Sequence, residues 1–168
     1  ALRGGRPIMS AVGHSLIKAR MRAEGALLAG EMSGHIFFKH RYFGYDDAIY
    51  ATGRLLEVLT RTDEPLSKLL SDLPETHSTP EIRLPCPDHL KFGVVADLLA
   101  KFRGERKVID IDGARVIFPD GWGLVRASNT EPVLVERCEA NSPESLALIR
   151  QELEGAVAIA IAKRMAKK

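Results

Sequence analysis

The chain has 168 residues, of which 45% are hydrophobic and 27% charged, with 24 basic against 22 acidic side chains for a net charge of +2. That is enough for one domain or two small ones with ordinary cores, and the near balance of charge excludes the single-sign field that nucleic acid or an anionic membrane surface would need. Its two cysteines, Cys86 and Cys138, have neither the density of a disulfide scaffold nor the spacing of a metal or redox site, so both read as structural thiols of a cytoplasmic protein.

No apolar run is long enough to span a membrane, and no signal peptide is evident. The opening Ala1-Leu2-Arg3-Gly4-Gly5 lacks an initiator Met, which reads as an internal cut of a longer protein. The closing Lys163-Arg164-Met165-Ala166-Lys167-Lys168 reads as cations complementing a helix C-terminus.

In chain order, residues 7–12 read as a short strand delivering Gly13-His14-Ser15 to a helix that Ser15 caps and Gly25 ends. Ala26 to Ala29 and Ile36 to Phe38 read as two buried strands joined by the loop Gly30-Glu31-Met32-Ser33-Gly34-His35. A helix follows from Tyr45-Asp46-Asp47 to Leu59, with Ile49, Leu55, Leu56 and Leu59 expected on its buried side. Pro65 to Leu73 reads as a shorter helical segment. Residues 74–80, polar and bracketed by Pro74 and Pro80, read as a hinge-like link between a domain over 1–73 and another over 81–168.

The second domain opens with a strand from Glu81 to Pro85 and a helix from Asp88 to Arg103. Leu90, Val94, Leu98 and Phe102 repeat there at helical spacing, widened by Phe92, Val95 and Leu99. A hairpin with Asp112-Gly113 at its turn follows, then Asp120-Gly121 and a third strand, then a fourth strand from Pro132 to Cys138. Ser142 and Pro143 announce a last helix with Leu146, Ile149, Leu153 and Val157 on one stripe. The fold class is therefore α/β followed by α+β: a partial mixed α/β sheet domain, then a small β-sheet domain with two packing helices.

Two loops carry chemistry. In Gly30–His35, a carboxylate and a hydroxyl directed the same way can hold a vicinal diol, although the pattern equally fits a solvated β-turn. In Arg126-Ala127-Ser128-Asn129-Thr130-Glu131-Pro132, a guanidinium fork and several short donors sit between two strands, as in a phosphate cradle; a plain polar turn fits that pattern too. Asp110 and Asp112 read as turn formers, and no metal site is expected.

Taken together, Gly13-His14-Ser15-Leu16-Ile17-Lys18, the Gly30–His35 loop and the Arg126–Pro132 loop resemble the α-D-phosphohexomutases, most closely their bacterial phosphomannomutase/phosphoglucomutase branch. The resemblance implies most of the third and all of the fourth of four domains around a cleft. It implies that Glu31 and Ser33 hold sugar hydroxyls, that His14 and His35 line the cleft, and that Arg126, Ser128, Asn129 and Thr130 hold the phosphate that is not reacting. The implied partners are mannose and glucose 1- and 6-phosphates together with the missing N-terminal domains. The implied cofactor is Mg2+, bound outside this chain, and a hexose 1,6-bisphosphate serves as intermediate. The family's phosphoserine and its aspartate-rich Mg2+ loop do not occur in this sequence, so the segment is expected to bind without transferring phosphoryl groups. Met32 and Asn129 depart from the usual phosphoglucosamine mutase pattern. A phosphoglucosamine mutase segment and a non-catalytic phosphosugar-binding module remain the alternatives.

Overall fold

The computed structural model describes residues 4–166. Ala1, Leu2 and Arg3 of the opening segment and Lys167 and Lys168 of the basic tail lie outside the described residues. The chain divides into two compact units, Ala1–Leu73 and Pro74–Lys168.

In the first unit, α1 (His14–Glu24) is followed by the antiparallel strands β1 (Leu28–Gly30) and β2 (Ile36–Phe38), then by α2 (Ala48–Leu59). Residues 7–12, expected as a strand, are not one. A strand needs a ladder partner, and among the described residues β1 and β2 pair with each other, with one further bridge from Phe37 to Asp46 and none to residues 7–12. Ser15 is not the cap of α1: the helix begins at His14 behind Gly13, and no side chain caps it. Gly13 has φ 129°, a left-handed torsion that a side chain would strain.

The core of this unit is small, consisting of Ile17 and Met21 from α1 and Phe37 from β2, with Ala26 and Ala29 packed against them. The strands are less buried than their apolar runs suggest, because Leu28 and Ile36 are exposed. The expected buried face of α2 is also corrected, since Ile49 is 87% and Leu56 58% exposed. The opposite side of the helix meets β2 instead: the Arg54 guanidinium lies 4.9 Å from the Phe38 ring centre, and Tyr50 meets the same ring edge-on at 5.5 Å. Asp47 caps α2 by accepting from Tyr50 N at 2.8 Å. The expected helical segment from Pro65 reduces to one 3-10 turn, Leu66–Lys68.

The second unit is an antiparallel sheet covered by two helices. β3 (His77–Ser78) and β4 (Ile82–Pro85) lie along one edge of β8 (Val133–Ala140), with β3 pairing near its end and β4 near its start. On the other edge come β7 (Gly121–Ala127), β6 (Ala114–Phe118) and β5 (Val108–Ile109). The segment expected as a free polar link is thus partly strand. Thr79 is buried and accepts from Cys138 N at 3.1 Å, which ties the entry of this unit to its central strand.

α3 (Asp88–Arg103) and α4 (Pro143–Met165) supply the helical half of the core. Leu90, Val94, Leu98 and Phe102 of α3 and Ile149, Leu153 and Val157 of α4 are all buried, against Val116, Val125 and Leu134 of the sheet. Each such side chain contributes roughly 1.5–3 kcal/mol on leaving water. Phe92 is the exception, 61% exposed, because the buried stripe of α3 turns away from it. Ser142 caps α4 by accepting from Ser145 N at 3.1 Å, with Pro143 in the first turn.

One carboxyl group lies on the core side of β8. Glu136 is fully buried, with the Cys138 thiol 3.8 Å from Oε1 and no partner for Oε2 among the described residues. Burial first, and then the negative Glu154, pushes its pKa up to about 7.

Candidate functional site

The Gly30–His35 loop closes the β1–β2 hairpin, with Gly30 opposite Ile36. Glu31 N donates to His35 O at 2.9 Å and Gly34 N to Glu31 O at 3.0 Å, so the loop holds its own shape. The Glu31 carboxylate is oriented from two sides. Oε1 accepts from Gly13 N at 3.0 Å, and Oε2 from the Ser33 hydroxyl at 3.3 Å. Ser33 stays exposed. The structure therefore brings the Gly13-His14-Ser15 motif and the Glu31/Ser33 loop together within one unit.

His35 and His14 meet on the same side. Their rings lie edge to face with centres 4.7 Å apart, and His14 also touches the Phe37 ring at 5.2 Å. His35 Nδ1 lies 2.6 Å from Asp46 Oδ2, while Asp46 Oδ1 accepts from Ile36 N at 3.0 Å. These contacts, with the His35 bond the strongest, hold the Asp46 carboxyl below the usual carboxylate range. A carboxylate on Nδ1 fixes the ring and leaves Nε2 to face a ligand.

In the second unit, the cradle is the turn between β7 and β8, whose pairing ends at Ala127 opposite Leu134. Ser128 is buried, and its Oγ accepts from Thr130 N at 3.3 Å and Glu131 N at 3.2 Å. The hydroxyl shapes the loop, and only its proton remains to offer outward. Asn129 and Thr130 are exposed, whereas Arg126 is half-buried and pairs with no carboxylate among the described residues. Gly113 approaches so closely that a Cβ there would lie 2.6 Å from Arg126 Cβ, so glycine is what lets the β5–β6 turn pass beside this arginine.

A buried cation supports the cradle. Lys91 is only 4% exposed, and its Nζ donates to Glu131 O at 3.1 Å and to Asp88 Oδ1 at 2.7 Å. Arg83 also pairs with the Glu131 carboxylate. Neither Lys91 nor Asp46 stands out in a first reading of the sequence. For Lys91 a signal was available, because Lys91, Val95, Leu98 and Phe102 form one helical stripe in which a lysine replaces an apolar residue. For Asp46 it was not, since an acidic pair before a helix ordinarily serves as a cap.

Comparison with known proteins identifies the family to which both units belong. Residues 1–77 match the domain described as Phosphoglucomutase/phosphomannomutase, alpha/beta/alpha domain III, and residues 81–156 match Phosphoglucomutase/phosphomannomutase, C-terminal domain. The chain belongs to the phosphoglucomutase/phosphomannomutase family. Among curated relatives, a phosphomannomutase/phosphoglucomutase of Pseudomonas aeruginosa is 51% identical over 88% of this chain and 32% of its own length. A phosphoglucomutase of Neisseria meningitidis is 49% identical over 92% of this chain and 34% of its own. A crystal structure of a phosphoglucomutase/phosphomannomutase family protein from Burkholderia thailandensis is 48% identical, with a TM-score of 0.83 over 95% of this chain and 34% of that one. The chain thus spans about a third of the length of the relatives it matches.

Family membership raises the question of Mg2+, which prefers octahedral oxygen ligands. Among the described residues, the group of side chains able to converge on a metal is His14, His35 and Asp46. Two imidazoles and one carboxylate do not suit Mg2+. No helix among the described residues is long and apolar enough to cross a membrane.

Proposed function

We propose that this chain is the sugar- and phosphate-binding part of a phosphohexomutase that interconverts hexose 1-phosphates and 6-phosphates of mannose and glucose. The observation that carries this reading is the match of both halves of the chain to the family's two domains, each with its polar loop present. Relatives named for phosphomannomutase and phosphoglucomutase activity stand near 50% identity, whereas a probable phosphoglucosamine mutase from Methanopyrus kandleri stands at 34%. That difference favours hexose over glucosamine.

In this reading, the Glu31 carboxylate accepts from adjacent sugar hydroxyls while Ser33 adds a further contact, and His14 and His35 line the same side. Arg126 forks onto phosphate oxygens, with the exposed Asn129 and Thr130 beside it. Ser128 keeps the loop in shape while offering its proton. A phosphoserine on a domain outside this chain gives its phosphoryl group to the sugar, the bisphosphate reorients, and the other phosphate returns to the serine. Mg2+ would be held by that other part, outside this chain, where it would supply charge neutralisation for phosphoryl transfer.

The test is an assay of the intact protein for conversion of mannose 1-phosphate and glucose 1-phosphate, with a trace of glucose 1,6-bisphosphate as activator. Conversion by the intact protein, with binding but no turnover by the 168-residue chain, is the expected result. An intact protein that binds both sugars and converts neither would overturn it in favour of a binding module.

A further inference from the structure

His14 opens α1, His35 closes the Gly30–His35 loop, and Asp46 lies just ahead of α2, so three separate pieces of the first unit each contribute one metal-ligating group. One ligand atom from each lies within 4.8 Å of the other two. Around a tetrahedral zinc ion, ligand atoms stand about 3.3 Å apart. The widest separation must therefore shorten by at most roughly 1.5 Å to meet that geometry. His14 can supply the movement, since it is exposed on the first turn of its helix and the described residues hold its ring only through edge contacts with His35 and Phe37.

The other two groups are adjacent, with His35 Nδ1 2.6 Å from Asp46 Oδ2, and open by about 0.7 Å to admit the ion. A metal ion entering there takes the place of the shared proton, which moves to Nε2 and leaves the ring neutral. Asp46 is anchored for such a task, because its second oxygen accepts from Ile36 N at 3.0 Å. Outer contacts of that kind fix a ligand's direction and sustain affinity. The His35 side chain is 44% exposed, so a water molecule has room to complete the coordination.

We propose that His14, His35 and Asp46 form a binding site for a zinc-class transition-metal ion. Two nitrogens and one oxygen select Zn2+, Co2+ or Ni2+ over Mg2+ and Ca2+. The site therefore differs in kind from the Mg2+ site of phosphoryl transfer. Its occupation ties the end of the Glu31/Ser33 loop to the head of α1. The inference goes beyond the proposed function and shares His14 and His35 with it, but the metal alone is the probe, so its failure is distinguishable from the failure of that reading.

The test is calorimetric titration of the 168-residue chain with ZnCl2, and separately with MgCl2, in a non-coordinating buffer. One equivalent of Zn2+ is expected to bind, with no heat from Mg2+ at the same concentrations. Co2+ is expected to give the visible absorption of a four- or five-coordinate ion. His14→Gln and Asp46→Asn should each weaken Zn2+ binding by about tenfold or more, whereas His89→Gln, on the exposed side of α3, should leave it unchanged. If a variant unfolds, NMR of the unaltered chain still decides the matter. Zn2+ must shift the imidazole signals of His14 and His35, and shifts confined to His40, His77 or His89 overturn the site. Equal affinity in the His14 and Asp46 variants, or no binding at all, also overturns it.

Discussion

Asp46 grips His35 and the strand beside it with a single carboxylate: Oδ2 reaches Nδ1 of the ring at 2.6 Å, and Oδ1 takes the Ile36 amide at 3.0 Å. The same group thereby orients an imidazole and stitches β2 to the approach of α2, where Phe37 bridges to Asp46.

That contact sets a pH dependence. The Asp46 pKa is lowered in the folded chain, chiefly by the His35 bond, so its stabilisation is present above the unfolded value of about 3.9 and is lost as pH falls through the folded one. Urea denaturation between neutral and acidic pH should show this loss in the unaltered chain. The acid-side fall should flatten in Asp46→Asn. Nitrogen NMR should also find the His35 proton on Nδ1, a preference that Asp46→Ala removes.

Glu136 acts in the opposite direction. Its folded pKa is raised to about 7 by burial and by Glu154, partly offset by Arg150. The group contributes most below the unfolded value of about 4.3, and that contribution is lost as pH rises through 7. The loss should be on the order of 3 kcal/mol across that window. Unfolding free energies at pH 5 and pH 8 should differ accordingly, and Glu136→Gln should remove most of the difference whatever its absolute stability.

Arg126 should separate phosphate recognition from sugar recognition. Its guanidinium has no carboxylate partner among the described residues, so Arg126→Ala removes the proposed phosphate contact without orphaning a carboxylate. Affinity for glucose 1-phosphate should fall by about 10- to 100-fold, the worth of a charge-assisted hydrogen bond. Binding of unphosphorylated glucose should be unaffected. Equal losses for the two ligands count against a phosphate role.

Lys91→Met should loosen the cradle from beneath. The ammonium's bond to Glu131 O disappears, while the 72% exposed Asp88 side chain turns to solvent. Stability should drop by about 1–3 kcal/mol, the net worth of a hydrogen bond from a charged donor, since Glu131 O keeps its bond from Val133 N at 2.8 Å. Hydrogen exchange at the Thr130 and Glu131 amides should quicken more than exchange in β7.

What could be read from the sequence depended on how local the deciding interaction is. Asp88–Arg103 and the Ser142-Pro143 start of α4 are legible because caps and apolar periodicity lie within the helix itself. The hairpin at Asp112-Gly113 is local in the same way. The outward face of α2 was not legible, because Ile49, Leu55 and Leu56 look like any core stripe and burial depends on what lies opposite. His77–Ser78 becomes strand only through Glu139 and Ala140, some sixty residues along the chain. Both polar loops were visible as residue types. Of their supports, Lys91 left a trace as a lysine in an apolar helical stripe, whereas the role of Asp46 depends on contacts that only the folded chain makes.

The two bonds that orient Glu31 also limit what it can recognise. With Oε1 facing the Gly13 amide and Oε2 the Ser33 hydroxyl, the carboxylate meets an incoming group only as an acceptor. In the proposed sugar-binding role it would read hydrogen-bond polarity and not merely shape: a sugar whose hydroxyl is replaced by fluorine, similar in size but unable to donate, would present one acceptor to another and be turned away.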